Sequence, residues 1–384
     1  MMAQSGFSAD VVVVGGGIIG LSVAWSLRGQ GASVLVLERG QVGGQATGAA
    51  AGMLAPLAEA KVAGPFVTLG LASLRRYPAF IEALREETSM DAELTGPGML
   101  RIANGEAEAA ALNREFVWQQ ALDLPMEWLS GAEVRKLEPS LTANIEAAIL
   151  SPVEKHVEPS RLARALALAN VRRGVRILEG TPVSGFAKTS KKVTGVHTPG
   201  GILSCGHVVI AGGAWTETIG SWLEVDLPIF PVRGQILALS CLPPPLRHTL
   251  YAHTGYLVPK ADGRLVVGAT EDRAGFDARP TAQGINSMLT FAVQQIPSLG
   301  EAPFESAWAG LRPASEDRLP ILGPLPGWEN AHVATGHYRN GILLAPITGE
   351  ILAQELLHDS PHPLLSSFRA DRFIPADTDR EDPQ

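Results

Sequence analysis

The sequence predicts an α/β protein in two parts: a discontinuous Rossmann-like dinucleotide-binding domain and an α+β domain with a large antiparallel sheet. Three observations predict it. A β-branched run, Val11 to Val14, passes directly into G-x-G-x-x-G at Gly15, Gly17 and Gly20. An α/β texture returns from Glu158 and again near the C-terminal end, and between them, from Leu227, the pattern changes to alternating, hairpin-linked runs. At 384 residues the chain also exceeds the size at which one core stops growing.

Each element has a local reason. The run before Gly15 is all apolar, which suits a strand buried on both faces of a parallel sheet. The glycines let backbone approach a pyrophosphate, and the helix LSVAWSLRGQG behind them offers N–H groups and a positive dipole end. The next strand, ASVLVLER, ends in Glu38, which can accept both hydroxyls of a ribose. The segment GQVGGQATGAAAGMLAP that follows is small and almost uncharged; it can lie flat against a large planar ring or serve as a flexible linker.

Residues 69–89 show helical spacing at Leu71, Leu74, Phe80, Ile81 and Leu84. GPGMLRIAN reads as a turn and short strand, residues 105–121 as a helix, and AEVRKLEPSL as a short helix ended by Pro139. Pro159 opens a helix; RILEG and PVSGFAKTS are strand-like; CGHVVIAGGAW is a buried strand entering a glycine turn. FPVRGQILALS, YLVPKADGRLVVGAT and, after a helix over 284–295, FESAWAGLRP form the alternating part, with a hairpin turn at Ala261-Asp262-Gly263. These readings divide the chain into a nucleotide domain of 1–90, 151–225 and 307–365, a second domain of 91–150 and 226–306, and a loose polar tail, 366–384.

Composition excludes several functions. A net charge of -8 lacks the basic footprint that a nucleic-acid partner requires. The two cysteines, Cys205 and Cys241, are too few and too distant for a disulfide framework or thiolate metal site, and no metal-ligand spacing or nucleophilic triad occurs. No signal peptide or membrane span is read, and a cytoplasmic enzyme is the default expectation.

One residue asks for an anion. Arg312 in WAGLRP has apolar neighbours, and a desolvated guanidinium needs a counter-charge. Glu305, Glu316 or Asp317 could supply it internally; a ligand carboxylate, matched by the bidentate fork, is the alternative.

The block from Val12 to Pro56 resembles the flavin-binding start of the D-amino-acid oxidase superfamily, and GGQATGAAAGMLAP is most similar to its glycine oxidase branch. HVEP (156–159), GRLVVGAT (263–270), WAGLRP and GHYRNGILLAP (336–346) agree with it in order along almost the whole chain. The resemblance implies an FAD-binding domain and oxidative deamination of glycine, sarcosine and small D-amino acids by hydride transfer to flavin N5. The products would be an oxo acid such as glyoxylate, ammonia or amine, and hydrogen peroxide from molecular oxygen. It further implies a role in thiamine thiazole biosynthesis and a homotetramer. The alternative is a D-amino-acid dehydrogenase that uses a quinone or other acceptor; it calls for a membrane-docking surface, and no basic amphipathic stretch is found.

By resemblance, Arg312 anchors the substrate carboxylate with Tyr256 beside it, Tyr251 being a weaker candidate, while Arg339 touches flavin or substrate unless it forms a plain salt bridge. Met53 packs on the ring, or fills a gap as methionines do. Cofactor contacts are implied at Gly15, Gly17, Ile18, Ile19, Gly20, Glu38, Arg39, Thr47, Ala50, Gly52, Met53, Leu54, Val183, Gly213, Trp215, Arg312, Tyr338, Arg339, Asn340, Gly341, Ile342 and Leu343. No side-chain acid or base is required. With no cysteine after Cys241 and no histidine before His156, the FAD is expected to be noncovalent. Two residues depart from the branch: Glu271 after GAT, where an apolar residue is expected, and Thr254 in the strand before Tyr256; either would alter specificity if it faced the pocket.

Overall fold

The computed structural model describes residues 8–374. Its first sheet has the order Ile321–Pro324, Ala331–Thr335, Gly201–Ile210, Ser8–Val14, Val34–Leu37, Arg176–Leu178, with a hairpin of Gly185–Thr189 and Lys192–Thr198 on Gly201–Ile210. The four pairings from Ala331–Thr335 to Arg176–Leu178 are parallel. Both faces are covered, as the unbroken apolar run requires. Val11, Val13, Val34 and Val36 pack under helices, whereas Val12, Val14, Leu35 and Leu37 pack against Phe186, Val193, Val196 and Ile219.

Two helices, Ile18–Gly29 and Gly341–His358, leave the carboxyl ends of parallel strands and lie against each other. Ser22 Oγ donates to the Ala345 carbonyl at 2.7 Å, and Gly349 stands where a side chain would strike the Ser22 carbonyl at 2.5 Å. Both N-termini thus open toward the same crevice, the usual ligand position in such sheets. Two glycines make the first turn possible. Gly15 has φ +116, and a Cβ there would sit 2.3 Å from the Ala211 carbonyl oxygen; one on Gly20 would sit 2.0 Å from that of Gly15.

The second sheet runs Phe304–Ser315, Ile229–Ser240, Arg264–Gly268, Gly255–Pro259, Thr249–Ala252, Met99–Asn104, Ile145–Ser151, Glu127–Ser130. It is antiparallel except where Thr249–Ala252 meets Met99–Asn104. Period-two alternation sorts its side chains. Leu237, Leu257, Leu265 and Val267 pack on Met288 and Phe291 of the Ala282–Gln295 helix; Ile236, Tyr256, Val258 and Val266 turn to the other side, toward Ala51 and Met53.

Three expectations need correction. The nucleotide domain does not resume at 307: Phe304–Ser315 pairs along the second sheet with Ile229–Ser240, and the first sheet is rejoined at Ile321. The tail is not loose from 366, because Phe368 and Ala370 are buried, Arg369 is bonded to Glu355, and Arg372 is paired with Asp317 at 2.8 Å; residues 375–384 lie outside the described residues. Thr254 is not in a strand but in the turn His253-Thr254 between Thr249–Ala252 and Gly255–Pro259.

Candidate active site

A cavity of about 360 Å³ lies where the crevice of the first sheet meets the second sheet. At the nucleotide end, Glu38 is buried at the tip of Val34–Leu37, and both its oxygens are engaged: Oε2 accepts from the Gly16 N–H at 2.7 Å and Oε1 from that of Gly40 at 2.8 Å. Each oxygen keeps a free lone pair for a hydroxyl. Thr47 Oγ1 accepts the Ile18 N–H at 3.0 Å, while the first-turn N–H groups of Ile19 and Gly20 have no partner inside their helix. Arg39 lies 3.5 Å over the Trp215 ring, which stacks on Phe276. Val183 comes from a loop tied to Glu38 through the Thr181 N–H at 2.8 Å.

At the reacting end the alternation of Phe304–Ser315 places Trp308, Gly310 and Arg312 on one face. Trp308 Nε1 donates to the Ala49 carbonyl at 3.3 Å, and Gly310 lets the strand approach Ala49, where a Cβ would come within 2.6 Å of the alanine's. The Arg312 guanidinium lies flat on Gly234 of the neighbouring strand, whose absent Cβ would stand 2.1 Å from its central carbon. One guanidinium nitrogen donates to the Thr270 carbonyl at 3.0 Å. Among the described residues no ion pair is formed by Arg312. The internal acid that would most easily have served, Asp317, is held by Arg372.

Tyr256 is buried with its ring on Gly268 and its hydroxyl beside the Arg312 guanidinium. Burial raises its ionisation well above the usual phenol range, more than the two guanidiniums lower it, so the hydroxyl stays a donor. Arg339 pairs with Glu59 at 3.1 Å and reaches the Tyr251 hydroxyl at 3.3 Å. Burial works against its charge, but Glu59 and the surrounding tyrosines outweigh that and raise it. Tyr338 sits between them at φ +49, a conformation costly for a side chain, held by its N–H on the Pro313 carbonyl at 2.9 Å. Burial, with the Glu271 carboxylate nearby, pushes its phenol up to about 12.

Of the residues expected at the cofactor or substrate, Gly15, Gly17, Ile18, Ile19, Glu38, Arg39, Thr47, Ala50, Gly52, Met53, Val183, Gly213, Trp215, Tyr256, Arg312, Tyr338, Arg339, Asn340, Gly341 and Ile342 line this cavity. Three do not. Gly20 packs on Gly15, Leu54 is fully buried in the helix-side core, and Leu343 is buried there too, its carbonyl accepting from Ser73 Oγ. Glu271 is exposed and paired with Arg318 at 2.9 Å, and Thr254 is exposed in its turn; neither lines the cavity. Sequence reading missed Glu59, Ile236 and His337, which do line it. The one available signal for Glu59 was that it is the sole acid between Glu38 and Glu82.

The residues present fit FAD. Two helix N-termini point into one cavity, a Cβ on Gly213 would enter open space there, and the ring-side loop 45–53 forms a wall of small side chains. Glu38 would hold the ribose, the Gly15–Ile19 turn the pyrophosphate, and Met53 with the Gly341 and Ile342 N–H groups the isoalloxazine, the Asn340 N–H being taken by the His337 carbonyl at 2.8 Å. Fold and site together define a dinucleotide-cofactor enzyme with a carboxylate-sized anion position at the far end of the cofactor cavity.

The chain belongs to the FAD dependent oxidoreductase family, whose model matches residues 10–355. It is 37% identical over 346 residues to the glycine oxidase of Geobacillus kaustophilus, spanning 90% of this chain and 92% of that protein. It is 36% identical to the bifunctional protein ThiO/ThiG of Synechocystis sp., over 96% of this chain and 54% of that one. The crystal structure of glycine oxidase from Geobacillus kaustophilus superposes with a TM-score of 0.92 at 35% identity, covering 96% of this chain and all of the other. Among the described residues no helix is long and apolar enough to cross a membrane, and no cluster of metal-ligating side chains occurs.

Proposed function

We propose that this chain oxidises glycine, sarcosine and small D-amino acids to the oxo acid, ammonia or amine, and hydrogen peroxide, and that it serves thiamine thiazole biosynthesis. The observation that carries this reading is Arg312: a guanidinium on the cavity wall that no acid of the described chain neutralises. The names of the full-length relatives support it.

Bound flavin supplies a two-electron acceptor that oxygen can regenerate. The chain's own part is placement. Arg312 takes the substrate carboxylate in a charge-assisted fork, and the protonated Tyr256 hydroxyl adds a donor to the same group. This anchoring turns the α-carbon toward the ring-side loop, while Met53, Ile236 and the Tyr256 ring keep water away. No side-chain base is assigned: the substrate reacts as the free amine. Noncovalent FAD, a homotetramer and a cytoplasmic location belong to the same reading.

Anaerobic addition of glycine, sarcosine, D-alanine, D-proline and a basic D-amino acid to the purified flavoprotein tests it. Bleaching of the flavin absorbance, followed by peroxide on admitting air, is expected for the small substrates. No bleaching with any of them would leave a flavin-binding protein without this activity; bleaching with dye reduction but no oxygen uptake would make it a dehydrogenase.

A further inference from the structure

The reacting end contains more charge than one carboxylate needs. Two guanidiniums, Arg312 and Arg339, line it together with one carboxylate, Glu59. Glu59 is 3.1 Å from Arg339, and the Tyr251 hydroxyl closes a triangle at 3.3 Å from Arg339 and 3.5 Å from Glu59. Arg312 has no such partner. The net charge offered to a ligand there is therefore a single positive one.

Glu59 is also held in place. The N–H groups of Leu57 and Ala58 donate to Glu154 Oε1 at 2.8 and 3.3 Å, and the Leu57 carbonyl accepts from Arg101 at 3.1 Å and from Gln119 at 3.2 Å. Glu154, Arg101 and Gln119 are all at least 98% buried, so the backbone leading into Glu59 is gripped from both sides. Arg101 is offset by Glu154 and by Glu115 at 3.4 Å, so these clamps bring little net charge of their own to the cavity.

We propose that Glu59 is a specificity-determining residue: by neutralising Arg339 it leaves one unpaired cation, and the site selects monocarboxylic amino acids over dicarboxylic ones. The proposal rests on Arg312 being the carboxylate anchor. A second anionic group on the substrate would meet the Glu59 carboxylate instead of a free arginine. Removing that charge while keeping the shape releases Arg339 to bind it.

The test uses the holoenzyme and its Glu59→Gln and Glu59→Asp variants, with acetate, malonate and succinate titrated against the flavin spectrum, and glycine and D-aspartate as substrates. In the unchanged protein acetate is expected to bind more tightly than either dicarboxylate. Glu59→Gln is expected to shift the dicarboxylate-to-acetate affinity ratio by about thirtyfold toward the dicarboxylates and to raise kcat/KM for D-aspartate relative to glycine. Glu59→Asp, which keeps the charge, should hold the ratio near that of the unchanged protein. A structural role would weaken all ligands in parallel; a ratio unchanged in Glu59→Gln while acetate still binds overturns the proposal alone. Absence of any acetate or malonate perturbation in the unchanged protein overturns the anchor reading, and this one with it.

Discussion

At the nucleotide end the polar groups of the cavity wall come largely from main chain: Gly15, Gly17 and Gly213, the N–H groups of two helix starts, and a glutamate whose oxygens are bonded to main chain. At the reacting end it is mostly side chain, with Arg312, Tyr256, Arg339 and Glu59 projecting from four separate segments. The difference has a physical source. A pyrophosphate and a flat ring need many weak dipoles at close range, which only main chain with small residues supplies. A small amino acid offers one charge and one bond to be broken, so a few strong, aimed groups decide its binding. Substitutions at the two ends should therefore separate cofactor affinity from substrate affinity.

The largest effect belongs to Arg312. Arg312→Ala is expected to raise the apparent binding constant for glycine a hundredfold or more, since losing a charge-assisted fork costs about 3 kcal/mol. FAD content and Tm should stay close to those of the unchanged protein, because no described acid depends on Arg312 for its partner. Steady-state kinetics with differential scanning calorimetry checks both; unchanged kinetics with a lowered Tm would make Arg312 a structural residue.

Glu38 gives the converse. In Glu38→Gln one of the two N–H groups of Gly16 and Gly40 faces an amide N–H instead of an acceptor. FAD affinity should fall about tenfold, a cost of about 1.4 kcal/mol. At saturating FAD the KM for glycine should not move. Fluorescence titration of the apoprotein with FAD, alongside kinetics in excess FAD, reads the two quantities separately; a matching rise in KM would mean that the ends are coupled.

The same contrast explains what was legible in the sequence. The nucleotide end is chain-local: strand, glycines, helix, second strand and Glu38 follow one another, so spacing alone points to a dinucleotide, while FAD in particular comes with the resemblance. The reacting end is assembled by sheet pairing across the chain: Arg312 stands out by its apolar setting, with an internal acid or a ligand as its partner, and only landmarks shared with a known superfamily make it and Tyr256 substrate contacts. Glu59 carried no periodicity and no motif; its role comes from a clamp by Arg101 and Glu154, residues distant in sequence. The boundary drawn at 307 cuts Phe304–Ser315, which pairs along the second sheet to its end, because the return to the first sheet follows so closely that a one-strand boundary has no compositional mark. Glu271 and Thr254 stood out by type, but only the fold shows that neither lines the cavity. Gly20 and Leu54 illustrate the opposite case: they belong to recognisable motifs, yet serve the packing behind the wall.

The smallest effect at neutral pH concerns His337, which lines the cavity between the two ends. Its ring is buried, with Nε2 3.1 Å from Thr348 Oγ1, and burial lowers its pKa to about 3. The folded protein thus holds it neutral, while the unfolded chain binds a proton below about 6.5. A folded pKa below the unfolded one means that the stability is fully present above about pH 6.5 and is lost as pH falls toward 3. His156, lowered to about 3, and His332, lowered to about 4, act in the same direction and window, burial being the main cause in each. In His337→Gln, which keeps a group able to bond Thr348, the loss of stability between pH 6.5 and 4.5 should become shallower by at most about 1.4 kcal/mol per pH unit, with little change at pH 7.5. Urea unfolding of the holoenzyme across that range measures the slope. An identical slope in the variant would show that folding does not lower the His337 pKa, so that below about pH 6.5 the ring would add a positive charge to the cavity wall.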